Sequence, residues 1–283
     1  AGSSWRKFNK VPTIPIRDLE IHEGEDDLVA ASFGRGFYIV DDYSPIREYS
    51  RQIDGQPAHL FSVKSTYQYI VAAPEKTATG HNFFTSPNPP YGVKLSYYLG
   101  NSILSKFEER QNEESNKFNR GETIDYPSAK KLEDEAKEKT PKIYLTISDS
   151  EGKVVRRISS NKSRGYHEKY WDLRTYSKRN IDDENNYSGP LVPPGKYSVH
   201  IEKFENDKLE KLTDSYSFDV TQIGSKSSQE DREKLYSFQL NFDELVSLMN
   251  ELVDEIDQAI EEIDGEINKS LNSSSNSNLE SLN

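Results

Sequence analysis

Three aspartates near the N-terminal end are the residues of this chain that could supply acid and base chemistry. Asp18, Asp41 and Asp42 could include the two carboxylates of glycoside hydrolysis, which lie about 5 to 9.5 Å apart across a sugar. Asp41 and Asp42 are adjacent on a predicted strand, so their side chains point to opposite faces and do not easily face one substrate. Turn and capping roles are therefore favoured, and the sequence assigns no catalytic residue.

Arg35 lies in the most patterned stretch of the chain, "AASFGRGFYIVDDYSP", and is a candidate ligand-binding residue. Its guanidinium could hold an anionic or sugar ligand. Alternatively, it pairs with an acid such as Asp41 and stabilises the local fold, since the flanking Gly34 and Gly36 already account for a turn. Both interpretations stay open, and Asp41 is kept beside Arg35 as a second ligand-binding candidate.

Trp171 is the third ligand-binding candidate, because aromatic rings can stack on sugars. It could form a sugar-binding face with several tyrosines, namely Tyr91, Tyr97, Tyr98 and Tyr170. The same residues are ordinary core residues of a β-sandwich, and core packing is the favoured interpretation.

The sequence predicts no metal and no cofactor. The five histidines show no two-histidine helical spacing, and the chain has no cysteine to complete a zinc site. No nucleotide-binding or nucleophile-elbow motif is present. The formal net charge of −12 argues against nucleic acid as a partner, and no run approaches the 18 apolar residues of a membrane-spanning helix.

The elements that must position these residues are mostly strands. Residues 28–33 and 37–40 are strand formers joined by Gly34-Arg35-Gly36, which predicts a hairpin. Ser44 and Pro45 then predict a short helix. Further short strands with turn signals follow at 59–102 and 142–220, which is typical of an antiparallel sandwich, and the charged residues 105–140 predict a partly helical excursion.

The C-terminal segment has a helical apolar stripe. Leu and Ile recur at spacings of 3, 4, 4, 4, 3 and 4 at positions 245, 248, 252, 256, 260, 263 and 267. Residues 226–269 contain 13 acids and 4 cations, a net charge of −9, so most of the acidity of the chain lies here. The stripe could form an oligomerising coiled coil or pack back on the sandwich.

Two sets of motifs resemble a known family. Gly2-Ser3-Ser4-Trp5 resembles the second half of an Asp box, and residues 12–47 resemble the closing blade of BNR-repeat, sortilin-type β-propellers of secreted bacterial proteins commonly labelled glycosyl hydrolases. The later motifs "NPPYGVKLSYYL", "PKIYLTISDSEGKVVRRI", "WDLR" and "GPLVPPGKYSVHIE" resemble the FlgD-type, immunoglobulin-like module that follows the propeller in that family.

The resemblance implies a mainly β fold in four parts. These are a partial last propeller blade (1–49), an immunoglobulin-like β-sandwich (50–224) with the charged insertion 105–140, an acidic amphipathic helix (225–271) and a disordered tail (272–283). The expected partners are the preceding propeller blades, together with a glycan or another surface protein.

The function implied by the resemblance is that of a non-catalytic accessory or structural region in a secreted, periplasmic or cell-surface propeller protein. Two alternatives stay open. The last blade could contribute to the active site of a sialidase-like glycoside hydrolase, or the sandwich and helix could form a surface protein–protein interaction module.

Overall fold

A computed structural model describes residues 13–50, 52–69, 89–176, 188–224 and 227–280. The chain is mainly β, with a curled half-barrel sheet and a long C-terminal helix. The half Asp box at residues 2–5 lies outside the described residues.

The N-terminal part is a three-stranded antiparallel meander. Its strands are β1 (Ile16–His22), β2 (Asp27–Ser32) and β3 (Phe37–Val40). Gly34 and Gly36 have φ angles of +76° and +87°, which residues with a side chain rarely adopt, so the glycines permit the tight β2–β3 connection. The predicted hairpin is confirmed, and so is the short helix after it, α1 (Ser44–Glu48), which has Pro45 in its first turn.

Two larger sheets follow the meander. The first has the order β4 (Ala58–Leu60), β6 (Val93–Leu99), β9 (Gly165–Trp171). The second has the order β5 (Thr66–Gln68), β14 (Tyr216–Gln222), β12 (Gly195–Glu205), β7 (Lys142–Ser148), β8 (Val154–Ser160), with β13 (Lys208–Lys211) also paired to β12. A two-stranded ribbon joins β10 (Arg174–Tyr176) and β11 (Ser188–Leu191).

One hydrophobic core lies between these two sheets, which together form what is called here the two-sheet domain. Alternate residues of the central strands supply it, because successive strand residues point to opposite faces. Those on β6, β7 and β12 are Val93, Leu95, Tyr97, Leu99, Ile143, Leu145, Ile147, Tyr197, Val199 and Ile201. All pairings in the two sheets are antiparallel except that of β5 with β14, which is parallel.

The charged insertion between β6 and β7 forms two helices, α2 (Lys106–Asn119) and α3 (Ala129–Lys137), so the prediction of a partly helical excursion is confirmed. Ser105 and Glu108 form a reciprocal capping box that begins α2. Arg110 of α2 donates bidentate hydrogen bonds to the Glu135 carboxylate of α3, at 2.8 and 2.9 Å, and so joins the two helices.

The last element is helix α4 (Gln229–Glu280). It begins against the two-sheet domain, where Tyr236 packs on the core and the Gln229 side-chain amide donates to the Pro194 carbonyl at 3.0 Å. Helix α4 continues to Glu280 and so includes residues 272–280 of the predicted tail, while residues 281–283 lie outside the described residues. Serine and asparagine lower helix propensity only modestly, so their abundance there does not by itself end a helix.

Candidate functional site at the base of the meander

A network of ion pairs joins the meander to the two-sheet domain and is centred on Lys64. Lys64 lies in the short crossing from β4 to β5. Its ammonium nitrogen is 3.4 Å from a carboxylate oxygen of Asp26 and 3.4 Å from one of Asp42, and it also donates to the Glu25 carbonyl. One cation of the domain thus contacts a residue next to each strand at the open end of the β2–β3 hairpin.

The local sequence explains why these two aspartates lie together. Asp26 ends the turn before β2 and Asp42 follows β3, and pairing of Leu28 with Val40 brings both to the same end of the meander. Both have positive φ angles, +53° and +51°, a region that aspartate tolerates better than most residues. The Asp42 amide donates to the Asp27 carboxylate at 2.8 Å, which fixes the exit of the chain.

Two further cations extend the network. Arg47 of α1 contacts Asp26 at 3.1 Å. Lys94 of β6 is 2.9 Å from Glu168 and 4.0 Å from Asp42. Burial by itself would raise the pKa of Asp26, but the charges and hydrogen bonds of Lys64 and Arg47 outweigh it and hold the pKa below its ordinary value.

Glu48, the last residue of α1, makes the second connection to the domain. Its carboxylate accepts hydrogen bonds from the Ser62 amide (3.0 Å) and the Ser62 hydroxyl (2.8 Å), and it lies 3.0 Å from His59 Nε2. Burial would raise the pKa of Glu48, but these contacts with Ser62 and His59 lower it overall. The Glu48 carboxylate lies between the Ser62 hydroxyl and the His59 ring. The histidine therefore does not contact the hydroxyl as it must in a nucleophilic triad.

An open cleft of about 400 Å³ lies over this network. It is lined by Asp26, Ser44, Arg47, Glu48, Ser62, Val63, Lys64 and Tyr216. A glycosidase acid needs a raised pKa so that it is protonated near neutral pH. The pKa values of Asp26 and Glu48 are shifted in the opposite direction, and the contacts of these two residues form a junction between the meander and the two-sheet domain.

The structure does not bring Arg35 and Asp41 together. Arg35 is exposed at the tip of the β2–β3 hairpin, and Asp41 follows the far end of β3, about 20 Å away along an extended strand. The expected pairing of Arg35 with Asp41 is therefore wrong. Asp41 is exposed, and its backbone carbonyl accepts a hydrogen bond from the Lys94 ammonium at 3.4 Å.

Trp171 is a core residue. It is 0% exposed, its Nε1 donates to the Arg174 carbonyl at 2.9 Å, and its ring meets Tyr197 and Phe218 edge-on. A ring without exposed surface cannot stack on a ligand, so the ligand-binding expectation for Trp171 is corrected in favour of core packing. Tyr97 is equally buried.

Sequence reasoning missed Lys64, Asp26 and Glu48. The signal that was available is the turn position of Asp26, but no sequence pattern pairs it with a lysine that is distant along the chain. Within the described parts of the chain, no group of three His, Cys, Asp or Glu side chains could hold a metal ion. No helix among the same residues is long and apolar enough to cross a membrane.

Neither a protein-family model nor a curated protein matches this chain.

Proposed function

We propose that this chain is a non-catalytic accessory module. In this proposal the meander is the closing blade of a β-propeller, and an immunoglobulin-like sandwich braces it through the Lys64 junction. The secreted or cell-surface location implied by the sequence resemblance belongs to the same proposal. The observation that carries it is that the meander exposes apolar side chains on both faces.

The strand register assigns these side chains to faces. Leu19 pairs with Ala30, and Ala30 pairs with Tyr38, so these three share one face. Phe37 and Ile39 alternate with Tyr38 and therefore lie on the other. Leu19, Phe37 and Ile39 are all exposed large hydrophobics. A sheet with apolar residues on both faces is typical of one that is covered on both sides, as a propeller blade is by its neighbours.

The topology of the two-sheet domain supports an immunoglobulin-like sandwich. If β6, β7, β9, β12 and β14 are strands B, C, E, F and G, one sheet contains B and E, and the other contains C, F and G. Near the start of β12 the Tyr197 hydroxyl donates to the Pro193 carbonyl at 2.6 Å. That contact fits the tyrosine corner of these domains, in which a tyrosine of strand F bonds backbone a few residues upstream.

The state of the junction carboxylates supports the non-catalytic part of the proposal. Asp26 and Glu48 are held ionised by lysine, arginine, serine and histidine donors. Their contacts join secondary-structure elements and leave neither of these two carboxyl groups set up as a proton donor. We therefore expect the purified chain to hydrolyse no member of an aryl-glycoside panel.

Sedimentation velocity tests the blade assignment. The chain should self-associate as concentration rises, because uncovered apolar sheet faces favour association. Leu19→Lys on one face and Ile39→Lys on the other should each weaken the association, and the double variant should weaken it further. Leu209→Lys is the matched control, since Leu209 is an exposed hydrophobe on β13, away from the meander.

A different result would overturn the proposal. A chain that stays monomeric at all concentrations, with meander amides as slow to exchange as those of β7 and β12, would make the meander a self-sufficient unit. Glycoside hydrolysis abolished by Asp26→Asn would instead favour the enzymatic alternative.

A further inference from the structure

Helix α4 leaves the body of the protein after its first turns. Its N-terminal part contacts the two-sheet domain, but every residue from Leu248 to Asp264 is exposed. An exposed single helix has no tertiary packing to stabilise it, and such packing supplies most of the stability of helices in proteins. In the part of the chain that the structure describes, the apolar face of this stretch of α4 has no neighbour.

Most of the apolar stripe lies on that free part. Its seven members, Leu245, Leu248, Leu252, Ile256, Ile260, Ile263 and Ile267, are each 51–58% exposed. The stripe is about 33 Å long at the rise of an α-helix. Among the described residues the stripe is exposed, so the alternative in which it packs back on the sandwich is not observed there.

Acidic side chains flank the stripe on both sides. At about 100° per residue, Glu255, Glu262 and Glu266 fall along one flank, and Asp257 and Asp264 fall along the other. Residues 248–267 contain eight Asp and Glu and no Lys or Arg. The surface is therefore an apolar ridge between two rows of negative charge.

We propose that this ridge, with its two acidic flanks, docks a cationic amphipathic helix of another protein. Helices that recognise one another do so through apolar residues at this spacing, and the charges beside the seam select the partner. A second copy of this chain would place acids against acids, which disfavours pairing. Helices that lie on membranes carry Lys and Arg on their polar face, and residues 248–267 contain neither.

Two synthetic peptides of about six helical turns test the proposal. Both carry Leu and Ile at the spacing of the stripe; one has Lys at the flanking positions and the other has Glu. Binding to the full chain is measured by fluorescence anisotropy at low and high salt. The Lys peptide should bind at least about tenfold more tightly than the Glu peptide at low salt, and added salt should reduce the difference.

Variants of the chain locate the surface. Ile256→Asp with Ile260→Asp should abolish binding of the Lys peptide, with circular dichroism confirming that the helix persists. Glu255→Lys with Glu262→Lys reverses one flank and should shift the preference toward the Glu peptide. The matched control, Asp254→Lys with Glu261→Lys, makes the same change of charge on the back of the helix and should leave the preference unchanged.

Three results would overturn the proposal. The two peptides could bind equally. The flank pair and the back pair of variants could have equal effects, which would mean that only net charge matters. The chain could form a dimer that Ile256→Asp with Ile260→Asp dissociates, which would assign the stripe to a second copy.

Discussion

The meander and the two-sheet domain are built from similar strand-forming residues, yet they differ in what covers them. In the two-sheet domain each sheet covers the inner face of the other, and residues such as Leu145 and Val199 are fully buried. In the meander, Ala30 is buried, but Leu19 and Phe37 are exposed. Strand pairing alone therefore specifies the local fold, and burial of a face decides whether a sheet is stable by itself.

This comparison predicts that equal truncations have very unequal effects in the two regions. Trp171→Ala should lower the free energy of unfolding by about 3–5 kcal/mol, because it opens a cavity in a filled core. Phe37→Ala, at a ring that is 74% exposed, should change it by less than about 0.5 kcal/mol. Urea denaturation of both variants measures the difference. Similar losses would mean that the meander has a core of its own.

The second prediction concerns the connection between the two regions. Glu48→Ala removes the hydrogen-bond acceptor for Ser62. It should lower the free energy of local unfolding of the meander by about 1–2 kcal/mol. The expected result is faster hydrogen exchange in the meander with little change in β7 and β12. Glu20→Ala, which removes an exposed acid of β1, is the control and should have no effect on exchange. Faster exchange in β7 would show that the junction also stabilises the domain.

The third prediction is a pH dependence of the same connection. The pKa values of Asp26 and Glu48 are lowered in the folded protein from ordinary values of 3.8 and 4.5. Their stabilisation is therefore complete above about pH 5 and is lost as the pH falls through the lowered values. Meander amides, corrected for intrinsic exchange rates, should lose protection below about pH 4. Lys64→Met should reduce this acid dependence, and an unchanged profile in that variant would contradict the role of Lys64.

The prediction with the smallest expected effect concerns two glycines, one in each region. Gly34 in the meander and Gly152 between β7 and β8 have φ angles of +76° and +82°, and an added Cβ would meet no atom at either. Alanine should therefore cost about 1 kcal/mol of backbone strain at both positions. Gly152→Ala should lower the global unfolding free energy by that amount. Gly34→Ala should change only exchange within the meander, and an equal global loss would show that the two regions unfold together.

Local features of the fold could be predicted from the sequence because their causes are local. Glycines at positive φ determined the β2–β3 hairpin, and Asn206-Asp207, at +51° and +59°, forms the turn between β12 and β13. The partly helical character of the charged insertion followed from its composition. In each case the residues that determine the element lie within it or next to it in the sequence.

The junction could not be predicted in the same way. Lys64 and Asp26 meet only because the domain and the meander fold against each other, and no spacing rule joins them. Trp171 illustrates a second limit, since residue type alone does not tell a core ring from a ligand platform. The stripe of α4 was visible in the sequence, but its exposure was not, because exposure depends on where the helix leaves the body.

The parallel pairing of β5 with β14 has a mechanical consequence. The meander precedes β5 and α4 follows β14, so tension between these two attachments pulls two parallel strands from opposite ends. Their hydrogen bonds, between residues 66–68 and 220–222, would then be loaded together in shear instead of opening one after another. In single-molecule pulling, we expect this short pair to resist more force than the antiparallel hairpin of β12 and β13, and a lower rupture force would contradict the shear geometry.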